Sequence, residues 1–278
     1  MRAEFVDVAG VRTRLLTAGD PSAYPILMLH GYGGTADVWF RNIDELGRDH
    51  YVVAADMVGS GFTDAANPES GPPHPKMLRH IQQLVEQFGW TRLCVMGTSF
   101  GSLISALLYF AMPTRVEKLI LIGSGSCFND DDRLRASYRN LQVNFGPLMA
   151  KPTLEGCRQS MVGMVYHPST VPEEILPVML TAYALPGMLK SWQDGVTGMS
   201  DIEASRPYQI RHRLESLDVD TLVLWGREDK GAVFQTAVEA VERMPKAKMV
   251  AFEECGHKPM LEVTDQFHRA VREFLGKS

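Results

Sequence analysis

The sequence lacks the features that mark disulfide-stabilised, zinc-binding or nucleic-acid-binding proteins. Its 278 residues contain only four cysteines, which form no C-x-x-C pair and show no zinc-type spacing. A chain of this length buries a large core, so it has no need of disulfides. Basic residues (28) are fewer than acidic ones (33), and no basic stripe is present. The net charge of −5 argues against nucleic acid and anionic membranes as partners.

Long apolar runs are also missing. No segment is long enough to span a bilayer, and the N-terminus alternates polar and apolar residues without the apolar stretch of a signal peptide. These absences predict a cytoplasmic protein. No H-E-x-x-H metal motif, phosphate loop, repeat or low-complexity segment occurs. We therefore expect no metal and no cofactor, and a small molecule as substrate; a homodimer is allowed, but oligomeric state is not readable from the sequence.

Short β-type segments alternate with helical ones through most of the chain. Such alternation predicts a mostly parallel sheet covered on both faces, an α/β fold. An apparent N-terminal hairpin begins it, and a proline-rich loop is predicted at 67–75. The eight predicted strands are 2–8, 11–17, 25–30, 51–55, 92–96, 116–122, 220–225 and 248–252. The main predicted helices are 76–88, 99–111, 233–243 and 259–275, with a short one at 38–46.

The alternation stops between 126 and 213. This stretch holds six of the fifteen methionines and helical segments broken by prolines, with no strand pattern. We interpret 126–213 as an inserted helical cap and 1–125 with 214–278 as the core domain. A packed subdomain without a functional role is the alternative.

A G-x-S-x-G motif occupies residues 97–101, between a predicted strand and a predicted helix. That context makes the motif specific, because a sharp strand-to-helix turn exposes the central side chain and requires tiny neighbours. The turn also points helix N–H groups at developing negative charge. Ser99 is therefore the predicted nucleophile.

A serine nucleophile needs a base, and the base needs an orienting acid. His257 follows the last predicted strand, and Asp229 follows the strand at 220–225; acids and bases at such strand ends meet at one sheet edge. Glu228 is a neighbouring competitor for the acid, and Asp130–Asp132 is a more distant one. His30 is expected to orient the loop that follows it.

The glycine-rich segment His30–Gly34 lets backbone approach a substrate oxygen. We expect the N–H groups of Tyr32 and Phe100 to form an oxyanion hole. A purely structural glycine turn is the alternative.

These segments together resemble the α/β-hydrolase superfamily over essentially the whole chain. The matching pieces are LHGYGG, DMVGSG, GTSFG, WGREDK and CGHKPMLE. The resemblance implies an eight-stranded, mostly parallel sheet with a lid inserted at the position of the predicted cap. Within the superfamily the sequence is most similar to the meta-cleavage-product hydrolases, which cleave a carbon–carbon bond in a vinylogous diketone acid, and to related carboxylesterases.

Several positions depart from that subgroup. Lys258 replaces a usual tryptophan, Thr98 and Ser102 replace an asparagine and a glycine, and Val38 replaces an asparagine. The cap usually supplies an arginine for the substrate carboxylate, and the matching segment 172–185 has none.

Because each departure removes a polar contact, the expected activity is that of a serine esterase acting on a small apolar carboxylic ester through an acyl-enzyme. Carbon–carbon hydrolysis is the alternative, and a small-molecule receptor with a hydrolase fold is an alternative of another class. The expected apolar pocket is lined by Trp39, Phe100, Met149, Met161, Met164, Tyr183 and Trp192.

Overall fold

The computed structural model describes residues 1–65 and 71–276. Its single sheet has eight strands in the order β1-β2-β4-β3-β5-β6-β7-β8. The pairs β1–β2 and β2–β4 are antiparallel, and the other five pairs are parallel. The predicted α/β class and strand number are confirmed. The strands are β1 Arg2–Val8, β2 Val11–Ala18, β3 Pro25–Leu29, β4 Tyr51–Ala55, β5 Leu93–Thr98, β6 Val116–Ile122, β7 Asp220–Gly226 and β8 Ala247–Phe252.

Helices cover both faces of this sheet and form the segment inserted after β6. In chain order they are α1 Ile43–Leu46, α2 His74–Gln87, α3 Phe100–Ala111, α4 Gly125–Phe128, α5 Asp131–Ala150, α6 Leu154–Val162, α7 Leu176–Tyr183, α8 Met188–Ser200, α9 Ile202–Ser205, α10 Phe234–Glu242, α11 Pro259–Glu262 and α12 Thr264–Leu275. Short 3₁₀ helices lie at Ala36–Trp39, Pro168–Thr170, Glu173–Ile175, Arg206–Tyr208 and Arg211–Ser216.

The central strands are buried on both faces. Every residue of β3, β4 and β5 is buried, which explains why their sequences are continuous apolar runs rather than alternating ones. The helix α3 is buried from Phe100 to Tyr109, as its apolar sequence predicts. It packs against β5 and β6 and so fixes the end of β5 rigidly in the core.

The segment between β6 and β7 is helical throughout its described elements, α4 to α9 and four 3₁₀ helices. The helices α5 and α8 pack against each other as its main pair. This agrees with the absence of a strand pattern in the sequence; the boundaries of the cap, 126–213, stay a prediction.

Three local predictions need correction. The last helix is not continuous, because Val263 leaves helical geometry (φ −127°, ψ 50°) and separates α11 from α12. The helix α2 begins at His74, inside the predicted loop, since a proline in the first helical turn has no hydrogen bond to lose. The predicted helix 38–46 is a 3₁₀ turn and α1, separated by residues 40–42. The remainder of the predicted loop, 66–70, lies outside the described residues.

The four cysteines are all buried and unpaired. None of the helices in the described ranges has the length and apolarity that crossing a membrane requires.

A buried carboxylate ties the antiparallel side of the sheet to the turn after β4. Asp56 is fully buried and accepts hydrogen bonds from Arg14 Nε (2.8 Å), Ala36 N (2.6 Å) and Phe62 N (2.8 Å). The same Arg14 guanidinium pairs with Asp37. A Cβ at Gly61 would lie 2.3 Å from this carboxylate, so the glycine makes room for it.

We expect Asp56→Ala to lower the free energy of unfolding by about 3–5 kcal/mol. The substitution removes one carboxylate partner of the buried Arg14 guanidinium, and it leaves the N–H groups of Ala36 and Phe62 without their acceptor. Urea denaturation measures the change. Asp49→Ala is the control, since Asp49 is exposed and meets Arg272 only at 3.7 Å; exposed pairs contribute about 0–1 kcal/mol. An equal loss in both variants would contradict a special role for Asp56.

Candidate active site

Ser99 occupies a strained turn between β5 and α3. Its backbone angles are φ 54° and ψ −121°, a region that side chains rarely adopt. Its N–H donates to the Ile122 carbonyl at 2.7 Å, which anchors the turn to β6. The sharp geometry predicted from the G-x-S-x-G motif is thus present.

The two glycines of the motif are sterically required. A Cβ at Gly97 would lie 2.3 Å from the carbonyl of Gly101, and one at Gly101 would lie 2.4 Å from the Leu29 carbonyl oxygen. Both are backbone atoms of the packed sheet and helix, so neither can move aside cheaply. Close packing of α3 on β3 and β5 is what holds Ser99 in its strained conformation.

His257 and Asp229 form a direct pair at the ends of β8 and β7. Nδ1 of His257 lies 2.6 Å from Oδ2 of Asp229, whose side chain is completely buried. The other oxygen, Oδ1, accepts hydrogen bonds from the N–H groups of Gly231 (2.7 Å) and Ala232 (3.1 Å). The carboxylate is therefore fixed from one side and offers Oδ2 to the imidazole.

Residues Gly123 and Ser124, which follow β6, lie between this pair and Ser99. The Ser124 hydroxyl donates to the Ser99 carbonyl at 2.9 Å. A Cβ at Gly123 would lie 3.2 Å from His257 Nδ1 and 3.4 Å from Asp229 Oδ2. The ends of β5, β6 and β7 therefore gather all three predicted side chains at one edge of the sheet.

The competing acids have other partners. Glu228 accepts a hydrogen bond from Cys255 N at 3.0 Å. Asp130 caps α5 by accepting from Arg133 N at 2.9 Å, while Asp131 pairs with Arg206 and Asp132 with Arg135. Of the acids that the sequence left open, Asp229 is the one bonded to His257.

His30 orients the glycine-rich loop after β3, as predicted. The ring is fully buried; its Nε2 accepts from Met57 N at 3.0 Å, so Nδ1 carries the proton that it donates to the Gly31 carbonyl at 2.7 Å. Burial lowers the pKa of His30 and keeps it neutral.

This loop brings Tyr32 close to Ser99. A Cβ at Gly31 would lie 3.2 Å from Ser99 Cβ, and the rings of Tyr32 and Phe100 meet edge to face at 5.5 Å. Phe100 is the first residue of α3, so its N–H has no carbonyl of the helix to bond. Both backbones are positioned beside the nucleophile; their role as an oxyanion hole stays a prediction.

The same loop is attached to the cap. The Tyr32 hydroxyl donates to the Trp192 carbonyl on α8 at 2.9 Å. Gly195 lies one helical turn further along α8. A Cβ at this position would lie 1.9 Å from the Tyr32 hydroxyl, so the glycine leaves room for it. A cavity of about 280 Å³ borders this contact, with Gly59, Ser191 and Lys190 among its lining residues.

The predicted pocket residues are mostly buried on the cap helices. Met149, Met161, Tyr183 and Trp192 lie on α5, α6, α7 and α8, and Trp39 lies in the 3₁₀ turn of the core. Trp192 lies against Gly33, and the Met164 carbonyl accepts the His257 N–H at 2.7 Å. Trp192 and Met164 therefore reach the loops of the site; the pocket role of the whole set stays a prediction.

Sequence reasoning missed Glu262, which holds the histidine loop. Its carboxylate accepts from the N–H groups of Gly256 (3.0 Å), Lys258 (3.0 Å) and Tyr166 (2.7 Å). The first two flank His257, and Tyr166 lies in the segment between β6 and β7. The available signal was an acidic side chain five residues after the histidine in CGHKPMLE, but its partners are set by the tertiary fold.

We expect Ser99→Gly to be more stable than Ser99→Ala by about 1–3 kcal/mol, because both lack the hydroxyl but glycine accepts the strained angles without cost. Thermal denaturation of the two variants side by side measures this. A more stable alanine variant would contradict strain at Ser99.

We expect Glu262→Ala to lower the free energy of unfolding by about 1–3 kcal/mol, because it leaves buried N–H groups without an acceptor. Hydrogen exchange should accelerate at Gly256, Lys258 and Tyr166 together. Glu254→Ala is the control, since Glu254 is an exposed neighbour on the preceding turn. Faster exchange confined to Tyr166 would show that Glu262 does not hold the histidine loop.

Known proteins match this chain over most of its length. The family model of the alpha/beta hydrolase fold matches residues 24–145. The 2-hydroxy-6-oxo-2,4-heptadienoate hydrolase of Pseudomonas putida is 26% identical, covering 98% of this chain and 95% of that protein. A 2-hydroxy-6-oxononadienedioate/2-hydroxy-6-oxononatrienedioate hydrolase of Dechloromonas aromatica is 28% identical, covering 90% of this chain and 86% of that protein.

Among solved structures, the 2-hydroxy-6-oxo-6-phenylhexa-2,4-dienoate hydrolase of a Rhodococcus species superposes with a TM-score of 0.82 at 25% identity, covering 99% of both chains. This chain therefore has the α/β-hydrolase fold and is similar to the hydrolases of meta-cleavage products.

Proposed function

We propose that this chain is a serine hydrolase that cleaves a carbon–carbon bond in a 2-hydroxy-6-oxo-dienoate, the substrate class named for its relatives. The observation that carries the proposal is that relatives matching nine-tenths or more of the chain are named as hydrolases of 2-hydroxy-6-oxo-dienoates. The comparisons thus favour the alternative over the ester that the sequence departures suggested.

The proposed catalytic triad is Ser99, His257 and Asp229. His257 takes the hydroxyl proton of Ser99, and Asp229 holds the imidazole through Nδ1. The 2.6 Å contact between Nδ1 and Oδ2 supports this assignment, since it leaves Nε2 of His257 as the free ring nitrogen for the serine.

The proposed reaction begins when His257 assists ketonisation of the dienol. Ser99 Oγ then attacks the distal carbonyl carbon, and the N–H groups of Tyr32 and Phe100 stabilise the oxyanion. Collapse breaks the carbon–carbon bond; the carbon leaving group takes the proton held by His257, and the acyl group stays on Ser99. Water, deprotonated by His257, then releases the acid and restores the serine.

Ester hydrolysis is the second candidate. It uses the same triad and acyl-enzyme, with an alcohol as leaving group. The feature that favours it is the helix α7 and its flanks, which carry no arginine for a substrate carboxylate. A receptor is the candidate of another class, and it would bind small molecules without turnover.

We expect kcat/KM for 2-hydroxy-6-oxo-2,4-heptadienoate to exceed that for p-nitrophenyl acetate by about 100-fold or more. Ser99→Ala should reduce both rates by roughly 10⁴-fold or more, as loss of a triad serine does elsewhere. Steady-state absorbance assays measure both.

Ser105→Ala is the matched control. It removes a hydroxyl from the same helix α3, where Ser105 Oγ donates to the Gly101 carbonyl at 2.8 Å away from the triad. Faster turnover of the ester would establish the esterase instead, and no turnover of either substrate would favour the receptor. Full activity of Ser99→Ala would overturn the proposed mechanism.

A further inference from the structure

Lys258 directly follows His257 and is buried, with 7% of its surface exposed. Lysines are almost never this buried unless a carboxylate pairs with them. In the described ranges, however, the Lys258 ammonium has neither a hydrogen bond nor an ion pair at contact distance. A buried cation without a direct partner therefore lies beside the proposed catalytic base.

The two carboxylates whose charges act on Lys258 are already occupied. Asp229 bonds Gly231, Ala232 and the His257 ring. Glu262 bonds the N–H groups of Gly256, Tyr166 and Lys258 itself. They offset part of the cost of burying the ammonium without filling its hydrogen-bonding positions.

Lys258 belongs to the loop that carries His257 to the end of the sheet. A Cβ at Gly123, which follows β6, would lie 3.2 Å from His257 Nδ1. The next residue, Ser124, donates its hydroxyl hydrogen bond to the Ser99 carbonyl at 2.9 Å. The backbone of Lys258 therefore lies at the same sheet edge as Ser99, one residue from the proposed base.

We infer that Lys258 binds the carboxylate of the substrate beside Ser99 and so selects for anionic substrates. This rests on the proposed hydrolase site. It also changes the meaning of the departures from the family pattern. Lys258 replaces the usual tryptophan and adds a cation from the core domain, whereas α7 carries no arginine that could bind a carboxylate. An ammonium on a side chain with little exposure discriminates for an anion, because water screens the pair less there than at the open surface.

Burial lowers the pKa of Lys258 to about 8, although Asp229 and Glu262 act to raise it. The lysine is therefore mostly charged at pH 7 and mostly neutral at pH 9. The other titratable groups facing it are His257, Asp229, Glu262 and His30. Binding of an anion should consequently weaken as the pH rises through about 8.

The first test compares substrates. Lys258→Met should lower the ratio of kcat/KM for 2-hydroxy-6-oxo-2,4-heptadienoate to that for p-nitrophenyl acetate by about 30-fold or more, mainly through KM of the acid. Lys151→Met, an exposed lysine on the cap, is the control and should leave the ratio unchanged. An equal loss on both substrates would show that Lys258 is only structural and would overturn the inference.

A second test needs no turnover, so it separates failure of this inference from failure of the proposed function. Titration calorimetry follows benzoate and its neutral isostere benzamide on Ser99→Ala protein, with and without Lys258→Met, at pH 7 and pH 9. We expect benzoate to bind at least tenfold more tightly than benzamide at pH 7, with that preference lost at pH 9 and in the double variant.

Equal affinity for benzoate and benzamide at pH 7 would overturn the inference, as would a benzoate preference that survives Lys258→Met. If the preference behaves as expected but the dienoate is not hydrolysed, the anion site stands and the proposed carbon–carbon activity does not.

Discussion

The site depends on one steric constraint, the close packing of α3 against β3 and β5 at Gly97 and Gly101. Only hydrogen atoms fit at these positions, and the backbone between them is forced to φ 54° at Ser99. Strain of this kind persists only where the surroundings over-determine it. Here the surroundings are a helix that is buried from Phe100 to Tyr109 and two fully buried strands, and their packing offsets the strain at the serine.

The other parts of the site are held by connections between core and cap. Glu262 joins the histidine loop to Tyr166, the Met164 carbonyl accepts the His257 N–H, and Tyr32 bonds the Trp192 carbonyl. Each contact ties a loop proposed to act in catalysis to a cap segment. Displacement of the helices between β6 and β7 would therefore disturb the loops that carry His257 and Tyr32.

Much of this arrangement is readable from the sequence, for a physical reason. Parallel strands end at one sheet edge, so residues after β5, β7 and β8 meet there, and the chain order predicts Ser99, His257 and an acid after β7. The contact with the His257 ring distinguishes Asp229 from Glu228 and appears only in the folded chain. The G-x-S-x-G spacing is equally local, because the clashes that require its glycines arise within one turn and the next strand.

The parts that were missed depend on contacts between distant segments. In the sequence Glu262 resembles any other acidic helix residue, and its bond to the Tyr166 N–H joins segments that lie far apart along the chain. Lys258 has the sequence signature of a surface lysine, and only the folded chain buries it. Its burial bears on the proposed function because the departures from the family pattern suggested that the site had lost polar contacts.

The location of the buried cation has a consequence for how a substrate would lie. An arginine on the cap would place the substrate carboxylate away from the sheet, whereas Lys258 is attached to the core next to His257. In a 2-hydroxy-6-oxo-dienoate, four chain carbons separate the carboxylate from the carbonyl that Ser99 is proposed to attack, so an anion bound at Lys258 would lie a chain's length from the reacting carbon. Under the proposed roles, the core recognises the charge of the substrate and the helices between β6 and β7 recognise its shape. Substrates of different length could then share the anion subsite while the cap sequence selects among their apolar ends.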